Sequence, residues 1–358
     1  MASGLIRAVV DTRALRANVG AVRRFAPRSR ILAVVKANAY GHGLVPAALA
    51  LSDADAFAVA RLEEGVSLRH AGVRAPIVLL EGVFDSAQLD EAARQDFELV
   101  IHTAEQIELF TAWAGIHRFD VWLKVDTGMN RLGFRPEAFP AAYAALAGHR
   151  HVASLRLLTH LANADATDDR STREQLRTFE RLTVGLQHER SIANSAGIVA
   201  WPDSHADWVR PGLMLYGVSP IPGRAAADYG LWPAMTLVST VIAVKPVLPG
   251  ECVGYGGRWT ARRPSTIAIV AAGYGDGYPR HIANGTPVLI EGQRAGVAGR
   301  VAMDMIAVDV TDLPPVRVGA NAVLWGEGLP AEEVAPHAET IPYELLCGVS
   351  QRVAVQLR

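Results

Sequence analysis

Lysine is the scarcest charged residue in this chain of 358 residues. Of the 35 Lys and Arg residues, three are lysine, Lys36, Lys124 and Lys245, and 32 are arginine. A guanidinium stays protonated, whereas an ammonium loses its proton when desolvated and can then attack a carbonyl. A lysine retained at the end of a buried strand is therefore a candidate for chemistry that arginine cannot perform. The alternative is a lysine whose stem covers the strand end while its amine reaches water.

Cysteine, excess charge and long apolar runs are scarce as well. Cys252 and Cys347 lie far apart, which fits neither a disulfide framework nor a metal site with paired cysteines. The net charge of -1 argues against nucleic acid and anionic membranes as partners. No apolar run is long enough to span a bilayer, and Arg7, Asp11 and Arg13 interrupt the N-terminal apolar residues. We expect a cytoplasmic protein with a small ligand and no metal site.

The first strong pattern is ILAVVKANAYGHG at residues 31–43, where an apolar run stops at Lys36. Such a run is typical of a parallel strand that is covered on both faces. Segments of helical period, such as 87–94 and 170–182, separate seven further runs: AFAVA (56–60), PIVLL (76–80), FELVI (97–101), FDVWLKV (119–125), SLRLLTH (154–160), SIANS (191–195) and the segment around 208–210. Eight runs predict a TIM barrel rather than an open doubly wound sheet.

Beyond about residue 234 the pattern changes to short strands punctuated by proline and glycine. These strands are TLVSTVIAVKPV, STIAIVAAG, TPVLIEG, DMIAVDV and AVLWG, followed by a helical tail at about 330–337 and a last strand. We therefore predict an α/β protein with a TIM-barrel domain over residues 1–233 and a mostly β domain over residues 234–358.

The residues that follow the predicted barrel strands face one common mouth, where barrels of this kind carry their chemistry. They are Lys36, Lys124, Arg131, His160, Asn194, Ser195 and Arg210. One nucleophilic amine with several cations and no cluster of carboxylates suits a phosphate-bearing cofactor better than a metal or a sugar. The stretches NSAG and RPGLMLYG supply backbone N–H groups of the kind that bind phosphate, although each is also typical of an ordinary turn.

Nine motifs give the chain a resemblance to the alanine racemase family. They occur in the order and at the spacing seen there: AVVKANAYGHG, LKVDTGMNRLG, THLANAD, ANSAG, VRPGLMLYG, VGYGGRWTA, GYGDGYPR, GRVAMDM and TIPYELLC. The resemblance covers nearly the whole chain. It implies a TIM barrel that binds pyridoxal 5'-phosphate (PLP) and a β domain that completes the partner's site in a head-to-tail homodimer. It further implies interconversion of L- and D-alanine, which supplies D-alanine for peptidoglycan or degrades it.

The resemblance also implies which two residues carry the reaction. Lys36 resembles the lysine that binds PLP covalently and takes the α-proton from the D-enantiomer. Tyr255 resembles the base for the L-enantiomer, supplied by the other chain. Two bases on opposite faces are needed because a single base returns the proton mostly to the side it left. Without the resemblance, Tyr255 in VGYGG is typical of an ordinary hairpin tyrosine.

Further roles follow from the same resemblance. Arg210 resembles the arginine whose permanent charge keeps the pyridine nitrogen of PLP unprotonated, and His160 would orient it while remaining neutral. Arg131 resembles the contact to the cofactor's phenolic oxygen and the substrate carboxylate. Lys124 resembles a carbamylated lysine that fixes Arg131, with a plain salt-bridged lysine as the alternative. The remaining implied contacts are Asn194, Tyr40, Ser195, Gly212, Leu213 and Tyr343 to the cofactor, Met303 of the partner subunit to the substrate, and Tyr274 at the entrance.

One position departs from the family, and three alternatives stay open. Many members have a histidine where this chain has Ser191, which puts the hydrogen bonds behind Arg210 in question. A broader-specificity amino acid racemase, a decarboxylase of the same plan and a non-catalytic PLP-binding protein are the other readings. The arginine in VRPGLMLYG argues against the decarboxylase, which typically has a carboxylate facing the pyridine nitrogen. The β domain with Tyr255 and Met303 argues against the non-catalytic binder, whose known examples resemble a lone barrel.

Overall fold

The computed structural model describes residues 4–358, and its centre is a closed barrel of eight parallel strands. After strand β1 (Arg7–Val10), the barrel strands follow in chain order: β2 (Arg30–Val34), β3 (Ala56–Val59), β4 (Ile77–Leu79), β5 (Glu98–Ile101), β6 (Phe119–Lys124), β7 (Val152–Leu158), β8 (Arg190–Ser191) and β9 (Trp208–Val209). Their apolar side chains are buried because helices cover the outside of the barrel and inward-pointing side chains fill its interior. The predicted TIM barrel is confirmed.

Helices precede and connect the barrel strands. They are Thr12–Phe25, Leu44–Ala50, Leu62–His70, Ser86–Gln95, Ala104–Ala112, Phe139–Leu146, Arg170–Thr183 and Ser195–Ala200. Short polar side chains start several of them: Asp85 accepts from the N–H of Gln88 at 2.8 Å, and Asp169 accepts from the N–H of Ser171 at 2.8 Å. The helices predicted at 87–94 and 170–182 lie where the sequence indicated.

A second sheet of eight strands follows the barrel in the chain. Its strands after β1 are β10 (Met235–Val247), β13 (Ser265–Val270), β14 (Pro287–Ile290), β15 (Gln293–Val297), β16 (Ile306–Asp309), β17 (Asn321–Trp325) and β18 (Ala354–Leu357). The order across the sheet is β13-β16-β15-β14-β17-β10-β1-β18, and most pairs are antiparallel. The prediction of a strand-rich C-terminal domain is confirmed.

Strand β1 pairs with the second sheet, although it lies in the part of the chain that was predicted as the barrel domain. The division placed residues 1–233 in the barrel, but β1 pairs antiparallel with β10 and parallel with β18. Its side chains alternate between half-buried and buried, as suits a sheet with one covered face. Residues 7–10 therefore belong to the second sheet, which joins both ends of the chain.

Short elements complete the second half of the chain. The two-stranded pair β11 (Cys252–Val253) and β12 (Trp259–Thr260) flanks a 3-10 turn at Tyr255–Gly257. The predicted tail is a helix at Ala331–Val334 that continues as a 3-10 turn, and a further helix at Pro342–Cys347 was not predicted. Across residues 4–358, no helix combines the length and the apolar character needed to cross a membrane.

The amino ends of the barrel strands, here called the barrel floor, are closed by a paired polar network around Arg156. Its guanidinium lies 2.9 Å from the carboxylate of Glu98, 3.0 Å from that of Glu189 and 3.5 Å from that of Asp120. The indole of Trp122 donates to Glu98 at 2.6 Å, and the guanidinium stacks 5.1 Å from the Trp122 ring. A paired network at this end serves stability, because barrels of this kind carry their chemistry at the opposite end of the strands.

Candidate functional site

Lys36 lies half-buried at the carboxyl end of β2 and begins an unusual piece of backbone. The next four residues, Ala37, Asn38, Ala39 and Tyr40, all have φ of 53° or 54° and form a left-handed turn. Each L-residue pays about 1–2 kcal/mol for this conformation, so surrounding contacts must hold it. The turn carries the backbone away from the strand directly after Lys36.

The end of the motif, YGHG, holds this left-handed turn in place. Gly41 has φ of 81°, and a Cβ there would lie 2.1 Å from the carbonyl oxygen of Leu346. Nδ1 of His42 donates to the carbonyl oxygens of Ala39 and Tyr40, at 3.0 Å each. Burial lowers the pKa of His42 to about 4, so the ring is neutral near pH 7.

Arg210 is the most deeply buried cation of the mouth, with 5% of its surface exposed. Its guanidinium donates to Oγ of Ser191 at 2.6 Å and to the carbonyl oxygens of Thr159 at 2.5 Å and Ile192 at 3.2 Å. Burial lowers the pKa of Arg210 to about 10, which leaves it protonated at pH 7. Ser191, which departs from the family pattern, is thus a direct hydrogen-bond partner of Arg210.

His160 lies beside this guanidinium. Its Nδ1 is 3.4 Å from an Arg210 nitrogen and accepts from it, which places the imidazole proton on Nε2. Burial, followed by the charges of Arg210 and Lys124, lowers the pKa of His160 well below its usual value. The ring is therefore neutral.

Lys124 is the last residue of β6 and is 8% exposed. Burial, followed by the charges of Arg210, Arg131 and Lys36, lowers the pKa of Lys124 to about 8. Roughly a tenth of these amines are then neutral at pH 7, against a negligible fraction for an ordinary lysine. A neutral amine is what carbamate formation requires.

Arg131 is carried by a loop that Asp126 organises. One carboxylate oxygen of Asp126 accepts from the N–H groups of Gly128 and Asn130, at 3.0 Å each, and Asn130 has φ of 55°. The Arg131 side chain is exposed, and its charge lowers the pKa of both Lys124 and His160. In residues 4–358, no carboxylate forms an ion pair with Lys36, Lys124, Arg131 or Arg210.

Tyr40, Ser195 and Gly212, which were predicted as cofactor contacts, lie together on the same side of the mouth. Oγ of Ser195 accepts from the N–H groups of Gly212 at 3.0 Å and Met214 at 3.3 Å. A Cβ on Gly212 would lie 2.5 Å from the hydroxyl oxygen of Tyr40, so this close approach requires glycine. Leu213 opens the adjoining 3-10 helix, Leu213–Tyr216, whose first N–H groups have no acceptor within that helix.

Tyr343 and Asn194 border the same group. The Tyr343 ring lies 5.8 Å from the ring of Tyr40, which in turn stacks 4.6 Å from that of Tyr216. Burial raises the pKa of Tyr343 to about 12, so its hydroxyl stays protonated. The side chain of Asn194 caps the helix Ser195–Ala200 by accepting from the N–H of Gly197 at 2.9 Å, and this bond fixes Ser195 in place.

Of the four predicted site residues on the second domain, Tyr343 lies beside Tyr40, and the other three face solvent in a single copy. Tyr255 is 66% exposed, Met303 is 53% exposed and Tyr274 is 39% exposed. Within the described part of the chain, no hydrogen bond or ring contact joins Tyr255 to the mouth residues. One copy therefore brings together the barrel residues of the predicted site but leaves Tyr255 and Met303 free to meet another surface.

Two sets of contacts at the mouth were not predicted. The hydroxyls of Thr127 and Thr159 are 2.8 Å apart, and the Gln175 amide donates to the carbonyl oxygen of His160 at 2.9 Å. Glu64 accepts from the N–H of Ala37, directly after Lys36. The two threonines belong to quoted motifs and so had a signal, whereas none of the quoted motifs contains Glu64.

Comparison with known proteins adds independent findings. The chain matches the family described as "Alanine racemase, N-terminal domain" over residues 10–220 and "Alanine racemase, C-terminal domain" over residues 234–357. The alanine racemase of Aeromonas hydrophila subsp. hydrophila is 50% identical over 350 residues, covering 98% of each chain.

Solved structures give the same result. The biosynthetic alanine racemase of Pseudomonas aeruginosa superposes with a TM-score of 0.96 at 47% identity, covering 99% of each chain. The alanine racemase of Bartonella henselae, solved with covalently bound pyridoxal phosphate, has a TM-score of 0.89 at 30% identity, covering 99% of this chain and 100% of that one.

Proposed function

The chain belongs to the alanine racemase family, and we propose that it interconverts L- and D-alanine by proton transfers from two bases, Lys36 of one copy and Tyr255 of a second copy. The isomerase activity follows from family membership over nearly the whole chain. The observation that supports Lys36 as one of these bases is the mouth of the barrel, where Lys36 lies among cations that no carboxylate of residues 4–358 pairs with.

The mouth residues fit PLP, the cofactor on which this family depends. A phosphate, a phenolic oxygen and a substrate carboxylate are all anionic, and the unpaired cations Lys36, Arg131 and Arg210 offset those charges. Lys36 would hold the cofactor covalently, Tyr40, Ser195, Gly212, Leu213 and Tyr343 would contact its phosphate, and Arg210 would face its pyridine nitrogen. When bound, PLP withdraws electrons from the substrate α-carbon and so acidifies the α-proton.

Arg210 acts as a fixed cation in this scheme. Its guanidinium is held by Ser191, Thr159 and Ile192 and cannot deliver a proton at neutral pH. The neutral His160 accepts from it and adds no second charge. The electron-withdrawing power of the cofactor is thereby limited, which favours return of the proton over side reactions.

Arg131 and Lys124 form the proposed carboxylate-binding part of the site. The low pKa of Lys124 supports carbamylation, because the neutral amine is the form that reacts with carbon dioxide. A carbamylated Lys124 is an anion, and it would hold the otherwise exposed guanidinium of Arg131 in place for the substrate carboxylate.

A head-to-tail homodimer would supply the second base. Tyr255 and Met303 are exposed on the β-rich domain of each copy and would enter the mouth of the other. Lys36 would then serve one face of the α-carbon and Tyr255 the opposite face, each accepting the proton on one side and donating it in the reverse reaction.

Optical rotation of L-alanine solutions tests the two-base proposal. The wild-type protein should racemise L-alanine, and Tyr255→Phe should retain bound PLP while losing racemisation by about three orders of magnitude, since it removes one proton carrier. Tyr229→Phe, which alters a tyrosine of the barrel domain away from both proposed bases, is the matched control. Undiminished racemisation by Tyr255→Phe contradicts the assignment.

A further inference from the structure

We propose that Glu64 is a positioning residue that fixes the direction in which Lys36 leaves β2, by holding the first peptide of the left-handed turn. This inference deepens the proposed function and rests on it. Glu64 touches neither the reacting amine nor the mouth cations, so it acts through the backbone of Ala37.

One carboxylate joins two neighbouring strand ends. Its Oε1 accepts from the N–H of Ala37 at 2.7 Å, just beyond β2. Its Oε2 accepts from the N–H groups of Ala60 at 2.9 Å and Arg61 at 3.1 Å, just beyond β3. Since β2 and β3 pair in parallel, Glu64 ties together the carboxyl ends of adjacent barrel strands where Lys36 emerges.

The bond to Ala37 matters because of where the left-handed turn begins. Ala37 is its first residue, and no glycine occurs among the four residues with φ near 53°. His42 holds the far end of the turn through the carbonyl oxygens of Ala39 and Tyr40, and Glu64 holds the near end. A strained segment persists only where contacts at both ends exclude its relaxation.

Helix capping alone does not account for this geometry. Glu64 is the third residue of the helix Leu62–His70, and a glutamate there commonly accepts from the N–H of the capping residue, as Oε2 does from Arg61. That role needs one oxygen. The second oxygen leaves the helix and reaches the residue after Lys36, where it has no capping function.

Glu64→Gln separates the two roles, because an amide has a single acceptor oxygen. Glutamine also serves as a cap at this helix position, so the cap is kept while an NH2 group replaces the acceptor facing the N–H of Ala37. Glu63→Gln is the matched control: it removes the same charge from the same helix, and the side chain of Glu63 is exposed.

We expect Glu64→Gln to lower kcat for L-alanine about tenfold, with KM changed less than about twofold, whereas Glu63→Gln behaves as wild type. In the cofactor-free protein, amide hydrogen exchange of the peptide covering residues 36–44 should be faster in Glu64→Gln alone. The melting temperatures of the two variants should differ by no more than a few degrees, since both retain a capped helix and one hydrogen bond contributes only about 1 kcal/mol.

The inference is overturned if Glu64→Gln matches Glu63→Gln in kcat, or if its kcat falls without faster exchange over residues 36–44. Failure of the proposed function gives a different result. In that case the wild-type protein itself does not racemise alanine, while the exchange comparison in the cofactor-free protein still reports whether Glu64 holds the turn.

Discussion

Buried positive charge is paired with carboxylates at one end of the barrel and unpaired at the other. At the floor, Arg156 meets three carboxylates, and although burial opposes it, the charges of Glu98 and Asp120 raise the pKa of Arg156. At the mouth, Lys124 meets further cations, and burial together with those charges lowers its pKa to about 8. At the floor, carboxylates of the chain pair with Arg156, whereas at the mouth the positive charges gain a partner only when an anion binds.

This difference separates stability from function within one set of strands. Removing one partner of a buried ion pair destabilises the fold, because the remaining charge is then buried alone. Unpaired cations cost stability and persist where a ligand supplies the missing negative charge. Substitutions at the floor should therefore act on unfolding, and substitutions at the mouth on the reaction.

The largest effect is expected for Lys36→Ala at the mouth. This variant should lose the visible absorbance of lysine-bound PLP and at least about three orders of magnitude in racemisation, while its melting temperature stays near that of the cofactor-free wild type. Lys245→Ala removes an exposed lysine of β10 and should change none of these. If Lys36→Ala still racemises alanine, the proposal that substitutions at the mouth act on the reaction is contradicted.

Arg156→Met tests the floor. Removing the cation leaves Glu98 and Asp120 without a basic partner, whereas Glu189 keeps its ion pair with Arg30. We therefore expect the free energy of unfolding to fall by about 3 kcal/mol in urea denaturation. The kcat of the folded fraction should remain that of wild type. Arg190→Met, which breaks an exposed pair with Glu180, should cost less than about 1 kcal/mol. A loss of kcat without a loss of stability in Arg156→Met would contradict the assignment.

Lys124→Met should do the reverse and stabilise the cofactor-free protein. The pKa of Lys124 is about 8 in the fold against 10.5 for an ordinary lysine. Between these values the unfolded chain binds more protons, so stability rises with pH, and the penalty is fully present below pH 8. We expect Lys124→Met to gain about 2–3 kcal/mol at pH 7, and this gain should shrink toward pH 10.

Urea denaturation in buffer free of carbon dioxide measures that gain, with Lys245→Met as the exposed control. A gain that is the same at pH 7 and pH 10 would show that the charge of Lys124 is not its source. A loss of stability at pH 7 would mean that the mouth cations are compensated in the cofactor-free protein.

The smallest effect is expected for Ser191→Ala. The hydroxyl is one of several acceptors around Arg210, so its loss should cost about 1 kcal/mol and lower kcat about fivefold. Ser239→Ala removes an equally buried hydroxyl that donates to the carbonyl oxygen of Ala271 in the second domain, and it should lower stability without changing kcat. Equal kcat for the two variants would show that Ser191 does not position Arg210.

The sequence predicted the barrel well for a physical reason. Strands buried on both faces carry apolar runs, and each of the eight predicted runs overlaps an observed barrel strand, although the run at 191–195 shares only Ser191 with β8. The pairing of strand β1 was not predicted, because its partners, β10 and β18, lie more than two hundred residues along the chain, and short strands carry no signal of such distant pairing.

The site was predicted in part. The mouth residues follow from strand ends and from the scarcity of lysine, and their family roles came from the ordered motifs. The left-handed turn was not foreseen, because residues 37–40 contain no glycine to indicate positive φ. The floor network was not foreseen either, because its carboxylates come from separate strands that only the closed barrel brings together.

Reduction of the purified protein with borohydride, followed by peptide mass mapping, tests the central claim most directly. If Lys36 is the unpaired amine that holds PLP, the reduced cofactor should be found on the peptide that contains Lys36 and on neither of the peptides that contain Lys124 or Lys245. Label at another lysine, or an unlabelled Lys36 in a protein that racemises alanine, would contradict the account.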